Sequence, residues 1–588
     1  MVPRVFAVDM HEVDSNKFQD SRDSGFSMYV LVTVLLASIS ALNIGWSLGI
    51  VGASKLAICL YEDEDTSSAL GNFSKHILFT DNSWSVATGI LSVGGLIGAM
   101  TSGAIADSIG RRNTLVINNG FFLAGSVWMA TATTAVHFSL GRFVMGIGCG
   151  VASNVVNTYI NEIAPIGWRG FYGSFFHFSV MLGVLGTQLA ALLVDHMQWR
   201  VVVAIPGVLS LVQIAMLPLR VESPSYLIKA SHVNEARHAL LKLRSGCDVT
   251  VEWQECLASL DNSASNESMA VLTTAAPPVA AAVSGSSSGP PSGYMQRSKD
   301  CCGLPQLHTS REDGSTSEFT IKSSEVKSAT ITATTAVGTA SQSSRRRKAT
   351  SSMWQMICGR TRNDLRHLVV CNAVIMCLQQ LSGVFIVLFS DSFLAFKLFG
   401  DSASPLPSQW AAIIAGCAAI PAGLLCMFKA DTLGRRPMLL ASLVGMCMCS
   451  MLVSVGMFYG PGSLVMACVA VCCFAVNMGI GTIPWFYIAE STPAYARGAM
   501  TMLGCSLYWC LSTVLGLVVP LVERSSSQWM FIIYGCVCAL GLLFVALCVP
   551  ETANRTTADI VKEHSGPMHL VIRRRHSRTL SQLFVGGR

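Results

Sequence analysis

Asp107-Ser-Ile-Gly110-Arg111-Arg112 closes one apolar stretch of this chain, and Asp431-Thr-Leu-Gly434-Arg435-Arg436 closes another. Each string is followed by an acid and a base at the end of a later apolar segment, Glu162 then Arg169 in the first case, Glu490 then Arg497 in the second. At nearly equal distances beyond come Glu222-Ser-Pro224 and Pro550-Glu551-Thr552. Three charged signatures, twice in one order, mean an internal duplication. Each copy spans six apolar segments, the layout of a secondary transporter built from two related halves.

Composition agrees with a membrane protein. Of 588 residues, 51% are hydrophobic and only 13% charged, and the mean hydropathy is +0.51. So few charges cannot coat a soluble surface of this size. Apolar stretches near the length a helix needs to cross a bilayer recur along the chain, and twelve crossings are expected: 28–50, 84–106, 114–132, 136–159, 171–193, 200–219, 368–390, 409–428, 437–458, 465–488, 499–521 and 529–549. The fold class is therefore all-α and membrane-embedded, two six-helix halves with short amphipathic helices on one side. The expected divisions are a tail over 1–27, a first half over 28–220, a helical linker over 221–260, an insert over 261–352, a second half over 353–550 and a tail over 551–588.

Arg111, Arg112, Arg169, Lys429, Arg435, Arg436 and the region after Arg220 fall on one side, which the positive-inside rule makes cytoplasmic together with both termini. The opposite side carries the acidic run Glu62-Asp63-Glu64-Asp65 and a glycosylation acceptor at Asn72, in Asn72-Phe-Ser74. Asn266 and Asn554 match the same acceptor pattern but fall inside, so no glycan is expected there. The first 26 residues are polar and charged, so no cleavable leader is expected and the first apolar stretch spans. The plasma membrane is the expected location. Most of the 21 cysteines fall in apolar segments, where Cys packs as a small apolar side chain. No metal-ligand spacing and no cofactor motif occurs, and no enzyme activity is expected.

Between the halves, Ser231 to Arg244 sets Val233, Ala236, Leu240, Leu241 and Leu243 among charges, an amphipathic helix under the bundle. From about 260 the composition turns to Ser, Thr, Ala and Gly, too poor in large apolar residues to offset chain entropy, so disorder is expected. Arg345-Arg346-Arg347-Lys348 either touches anionic headgroups or acts as a stop-transfer cluster. The insert and the tail are the expected sites of cytoplasmic regulation.

The carboxylates and guanidiniums of the repeated signatures stand at helix ends on one side. They cost little while wet, and pair through charge-assisted hydrogen bonds when the halves close. Asp107, Arg111, Arg112, Glu162, Arg169 and Glu222 are expected to form one gating cluster, and Asp431, Arg435, Arg436, Glu490, Arg497 and Glu551 the other. Separation of the pairs accompanies opening on that side. Gln379 and Gln380 lie inside an apolar span, where an amide needs a reason; an uncharged donor and acceptor suits sugar hydroxyls. Trp485 offers a flat face to ring carbons.

The same residues carry a family resemblance. Gly141-Arg142 with Gly146, Gly148 and Gly150, then Tyr159-x-x-Glu162-x-Ala164-Pro165-x-x-x-Arg169-Gly170, then Glu222-Ser-Pro-Ser-Tyr226-Leu227, recur in order. Gln379-Gln380-Leu-Ser-Gly383, Ile483-Pro-Trp485-Phe486 and Val549-Pro-Glu551-Thr552 follow. This set resembles the sugar porter branch of the major facilitator superfamily, over roughly 28–245 and 365–560. The resemblance implies alternating access and a sugar or polyol substrate, and it adds His177, Gln188, Phe385, Asn477 and Ser512 to Gln379, Gln380 and Trp485 as the substrate-binding set. Several of these depart from the family: His177 replaces a glutamine, Phe385 an asparagine, Asn477 a glutamate and Ser512 an asparagine, while Ala419 holds a further asparagine position. Proton-coupled members carry an aspartate where this chain reads Gly45-Trp46-Ser47, so facilitated diffusion is expected; proton symport, or a non-transporting nutrient sensor on the same scaffold, is the alternative.

Overall fold

The computed structural model describes residues 27–60, 77–193, 199–245, 363–384, 406–459, 462–493, 496–555 and 557–564, with a few positions between 247 and 254. Asn72, Phe385, Asn266, the basic run at 345–348 and the disorder expected for the insert lie outside these residues.

The first half contains α1 (Met28–Ile58), α2 (Asp81–Ile109), α3 (Arg111–Ala130), α4 (Ala135–Ile163), α5 (Arg169–Leu193) and α6 (Trp199–Met216). Two short helices follow, α7 (Pro224–Lys229) and α8 (Val233–Leu243). The second half contains α9 (Asn363–Gln379), α10 (Leu406–Leu433), α11 (Arg435–Tyr459), α12 (Gly462–Met478), α13 (Ile483–Ser491) and α14 (Arg497–Cys548), and α15 (Thr557–His564) follows it. A two-residue parallel pairing of β1 (Cys59–Leu60) with β2 (Ile77–Leu78) is the one strand contact among the described residues.

Eleven stretches of the described helices are long and apolar enough to cross a membrane. The twelfth expected crossing, α3, has the length, 20 residues, but carries the buried polar stripe Thr114, Asn118, Asn119 and Ser126. Asn118 Nδ2 donates to Gly148 O of α4 at 3.1 Å, so this stripe faces protein and not lipid. Small residues set the closest helix approaches, as expected without a hydrophobic force between helices in lipid. A Cβ on Gly150 would lie 2.0 Å from Gly95 O, and one on Gly45 would lie 1.9 Å from Val180 O. These contacts clamp α4 to α2 and α5 to α1.

Three elements depart from the expected crossings. The last two, Arg497–Val519 and Trp529–Cys548, follow each other without an intervening loop in one 52-residue helical run, α14. Its start lies near Asp107 (3.6 Å from a Cβ built on Gly498), while Glu551 just past its end caps α11, so both ends share one end of the bundle. Secondly, the seventh crossing is interrupted: α9 ends at Gln379 in a wide turn over Gln380–Val384, with Gly383 at φ +96°. Thirdly, the tenth breaks between α12 and α13, where Gly479, Gly481 and Thr482 turn the chain and Pro484 starts the next helix. In a membrane such breaks are tolerated only where protein or a cavity satisfies the freed backbone.

The linker helix forms as α8, with Ala236, Ala239, Leu240 and Leu243 buried. Val233 and Leu241, expected on its apolar face, are instead exposed. Arg244 anchors its end: Nη1 caps α4 through Ile163 O at 2.9 Å while Nε and Nη2 grip Glu252.

Candidate functional site

The charged signatures assemble at one end of the bundle as two copies of one motif. In the first half, Arg111 is 1% exposed. Its Nη2 lies 3.0 Å from Asp107 Oδ1 and its Nε 3.1 Å from Glu162 Oε2. Glu222 accepts from the backbone N–H groups of Arg111 at 2.9 Å and Arg112 at 3.0 Å, capping the start of α3. In the second half, Arg435 donates to Asp431 Oδ1 at 2.7 Å and to both oxygens of Glu490 at 2.8 and 3.1 Å. Glu551 caps α11 through the N–H groups of Arg435 at 2.9 Å and Arg436 at 3.0 Å.

The copies agree down to secondary contacts. Ser223 Oγ donates to Glu162 as Thr552 Oγ1 does to Glu490, and Tyr159 Oη reaches Val221 O as Tyr487 Oη reaches Pro550 O. Gly110 (φ +96°) and Gly434 (φ +92°) join the helices of each signature in a conformation that disfavours side chains. A Cβ there would also press on Glu222 at 2.5 Å and on Glu551 at 2.7 Å.

Within each cluster the glutamate is taken by the arginine of its own half's signature, Glu162 by Arg111 and Glu490 by Arg435. With both carboxylate oxygens engaged there, Arg169 Nε stays buried without a hydrogen-bond partner, and Arg497 Nε donates to Ala489 O at 3.0 Å. Arg112 and Arg436 likewise do not enter the carboxylate clusters through their side chains. Arg112 Nη1 donates to Arg220 O at 2.8 Å, and Arg436 Nη2 donates to Ala546 O.

One link between the halves goes beyond the clusters expected within each half. Asp431 of the second half accepts from the N–H groups of Gly170 at 3.0 Å and Phe171 at 2.9 Å, capping α5 of the first half. A carboxylate at a helix N-terminus satisfies orphan donors and complements the helix dipole. The reciprocal acid, Asp107, has a 39% exposed side chain, and among the described residues no hydrogen bond joins it to α14. The halves are therefore closed at this end, and asymmetrically latched.

The two helix breaks meet at depth in the bundle. Gln379 Nε2 donates to Gly481 O at 2.8 Å, joining the end of α9 to the turn between α12 and α13, while Gln379 Oε1 is buried without a partner. Trp485, one turn into α13, is buried, and its Nε1 also has no partner. Its ring is not open: Phe176 lies 4.9 Å away on one side and Tyr508 4.7 Å on another, with Trp509 beyond Tyr508 at 5.4 Å. Gln380 Nε2 is 3.5 Å from Tyr508 O.

The substituted positions meet across the halves. His177 Nε2 and Asn477 Oδ1 are 2.9 Å apart, and Ser92 Oγ and Ser512 Oγ 3.1 Å. Gln188 is buried in α5 beyond His177. Phe176 and Tyr508, which the sequence does not single out, stand beside Trp485. Arg142, fully buried in α4, donates to Ala87 O at 2.7 Å and to Ser47 O at 3.3 Å. Among the described residues no carboxylate pairs with it.

Comparison with known proteins agrees with this architecture. Facilitated glucose transporter member 3 of solute carrier family 2 from rabbit (Oryctolagus cuniculus) is 25% identical over 553 residues, 92% of this chain and 93% of that one. A facilitated glucose transporter homolog of Caenorhabditis elegans is 24% identical over 563 residues, 93% and 92% of the two chains. Among solved structures, the proton:xylose symporter XylE bound to 6-bromo-6-deoxy-D-glucose aligns with a TM-score of 0.67 at 18% identity, over 91% of this chain and 99% of that one. Inward-open XylE from E. coli aligns with a TM-score of 0.57, also at 18% identity, over 90% and 99%. These likenesses show the major facilitator fold. The family model for sugar (and other) transporters matches residues 33–287 and 307–563, so both halves are covered and the chain belongs to that family.

Proposed function

We propose that this protein carries a hexose or a related sugar or polyol across a membrane by alternating access, as facilitated diffusion and without a chemical step. The observation that carries the reading is the meeting of two broken helices at depth between the halves, with Gln379 Oε1 and Trp485 Nε1 buried and unpartnered there. An orphan acceptor and an orphan donor in a low-dielectric site cost about 1–3 kcal/mol each. A polyhydroxy ligand offers partners to both without bringing charge into the membrane. His177, Gln188, Gln380, Asn477 and Ser512 belong to the same site in this reading, beside the aromatic group around Trp485.

The two arginine–carboxylate clusters are the gate. With Asp431 seated on α5 of the other half, the charged end is shut; release toward that end requires this contact to part. We place that end, with both termini, in the cytoplasm of a cell bounded by its plasma membrane. Among the described residues no carboxylate stands beside Arg142, to which Ser47 offers only a backbone oxygen, and this supports uniport. Uptake of labelled hexoses, pentoses and polyols by proteoliposomes, with and without a proton gradient, tests the reading. Saturable uptake indifferent to the gradient is expected. A protein that moves none of the panel would be a sensor on a transporter scaffold, and gradient-driven accumulation would make it a symporter.

A further inference from the structure

The half of α4 nearer the charged end carries a polar stripe that neither the gate nor the central site uses: Ser153, Asn154, Asn157, Thr158 and Asn161, all buried. At about 100° per residue, Asn157 and Asn161 lie on the arc between Ser153 and Thr158. That arc meets α14 of the other half: Trp509 Nε1 donates to Ser153 Oγ at 3.1 Å, and Thr158 Oγ1 is 3.5 Å from Thr501 Oγ1. Asn154 Nδ2 completes the seam within the first half, donating to Ser102 Oγ of α2 at 2.7 Å.

Asn157 and Asn161 differ from these neighbours. Each returns its amide N–H to its own helix, Asn157 to Ser153 O at 2.7 Å and Asn161 to Asn157 O at 2.9 Å. Each is left with an Oδ1 that is buried and unpartnered, at 2% and 3% residue exposure. Two orphan amide acceptors one turn apart on the face where the halves meet destabilise the closed state and add nothing to helix propensity. They become useful when α14 moves away from α4, because the seam then lines the route from the central site to the charged end.

We propose that Asn157 and Asn161 form a transit site for the hydroxyls of the polyhydroxy substrate on its way between the central site and the charged end. This rests on the transport reading above. In the open state the two Oδ1 atoms accept substrate hydroxyls, and the amide groups, released from the helix carbonyls, donate to them.

The test is sided transport in oriented proteoliposomes, with D-glucose, its monodeoxy analogues and D-xylose as probes for wild type, Asn157→Leu, Asn161→Leu and Asn157→Ser. One lost hydroxyl contact is worth roughly two- to tenfold in half-saturation. The leucine variants are expected to raise half-saturation by that factor at the charged end and by less than twofold at the other, and the penalty should vanish for the analogue lacking the contacted hydroxyl. Asn157→Ser, which keeps a hydroxyl acceptor, should fall between. Equal penalties for every sugar, or none, would overturn the transit site while leaving transport intact. A wild type that moves no sugar of the panel overturns the transport reading itself.

Discussion

Arg435→Ala removes the guanidinium that holds the second cluster together. Arg435 is 1% exposed, and three hydrogen bonds to Asp431 and Glu490 would be lost together with one to Ala430 O at 3.0 Å. Stripping one partner from a buried ion pair costs about 3–5 kcal/mol, because the other charge stays desolvated. Here Glu490 keeps Thr552 Oγ1 and Asp431 keeps its two backbone donors on α5, so the low end of that range applies. In the gating reading, parting of the halves admits water to Glu490, so the loss is expected to fall on the closed state. A shift of about 3 kcal/mol is roughly a hundredfold in the ratio of closed to open protein. The amides of Gly170 and Phe171 report it, since they are released when Asp431 leaves α5. In Arg435→Ala they should exchange with deuterium roughly a hundredfold faster, in the regime where exchange follows the open population. Turnover should fall while the amount of inserted protein holds, and Arg435→Lys, which keeps charge but loses the bidentate geometry, should lie between. Unchanged exchange at α5 and unchanged turnover in correctly inserted Arg435→Ala would refute the gate.

Further outcomes are expected. Asp431→Ala should weaken closure more than Asp107→Ala, since only Asp431 is hydrogen-bonded to the other half, and the same amide exchange measures the difference. Gly434→Ala meets both a left-handed backbone and Glu551 Oε2 at 2.7 Å; a loss of at least about 1–2 kcal/mol is expected, read as reduced thermal stability in detergent. Gln380→Ala should raise the half-saturation constant for sugar several-fold or abolish uptake at matched surface expression. Phe385→Asn should change preference among sugars without inactivating the protein; an unchanged profile in both would place the substrate elsewhere. Wild-type uptake should be flat over about pH 6–8, because among the described residues no carboxylate accompanies Arg142 and His177 is buried away from water. Ser47→Asp would place a carboxylate there, and its uptake should become pH-dependent.

Much of this protein is legible in its amino-acid sequence. The two copies of the Asp-x-x-Gly-Arg-Arg string and their following glutamates declare the duplication, because charge next to long apolar runs has few places to go in a membrane. The crossings follow from hydropathy for the same reason, and even α3, the most polar, is marked by its length and position. The side chains proposed to bind substrate are legible as types: an amide or an indole inside an apolar run stands out against its background. What the sequence leaves open is every pairing. Glu162 takes Arg111, far from it in the chain, a matter of tertiary geometry and not of spacing. The breaks at Gly383 and Gly481 look like ordinary glycines in apolar runs, and only the packing of α9 against the turn between α12 and α13 brings them together. The latch from Asp431 to α5 joins positions far apart in the chain, on different halves. Local sequence sets what each segment is made of and which end is charged. Which donors meet which acceptors depends on how the two halves come together.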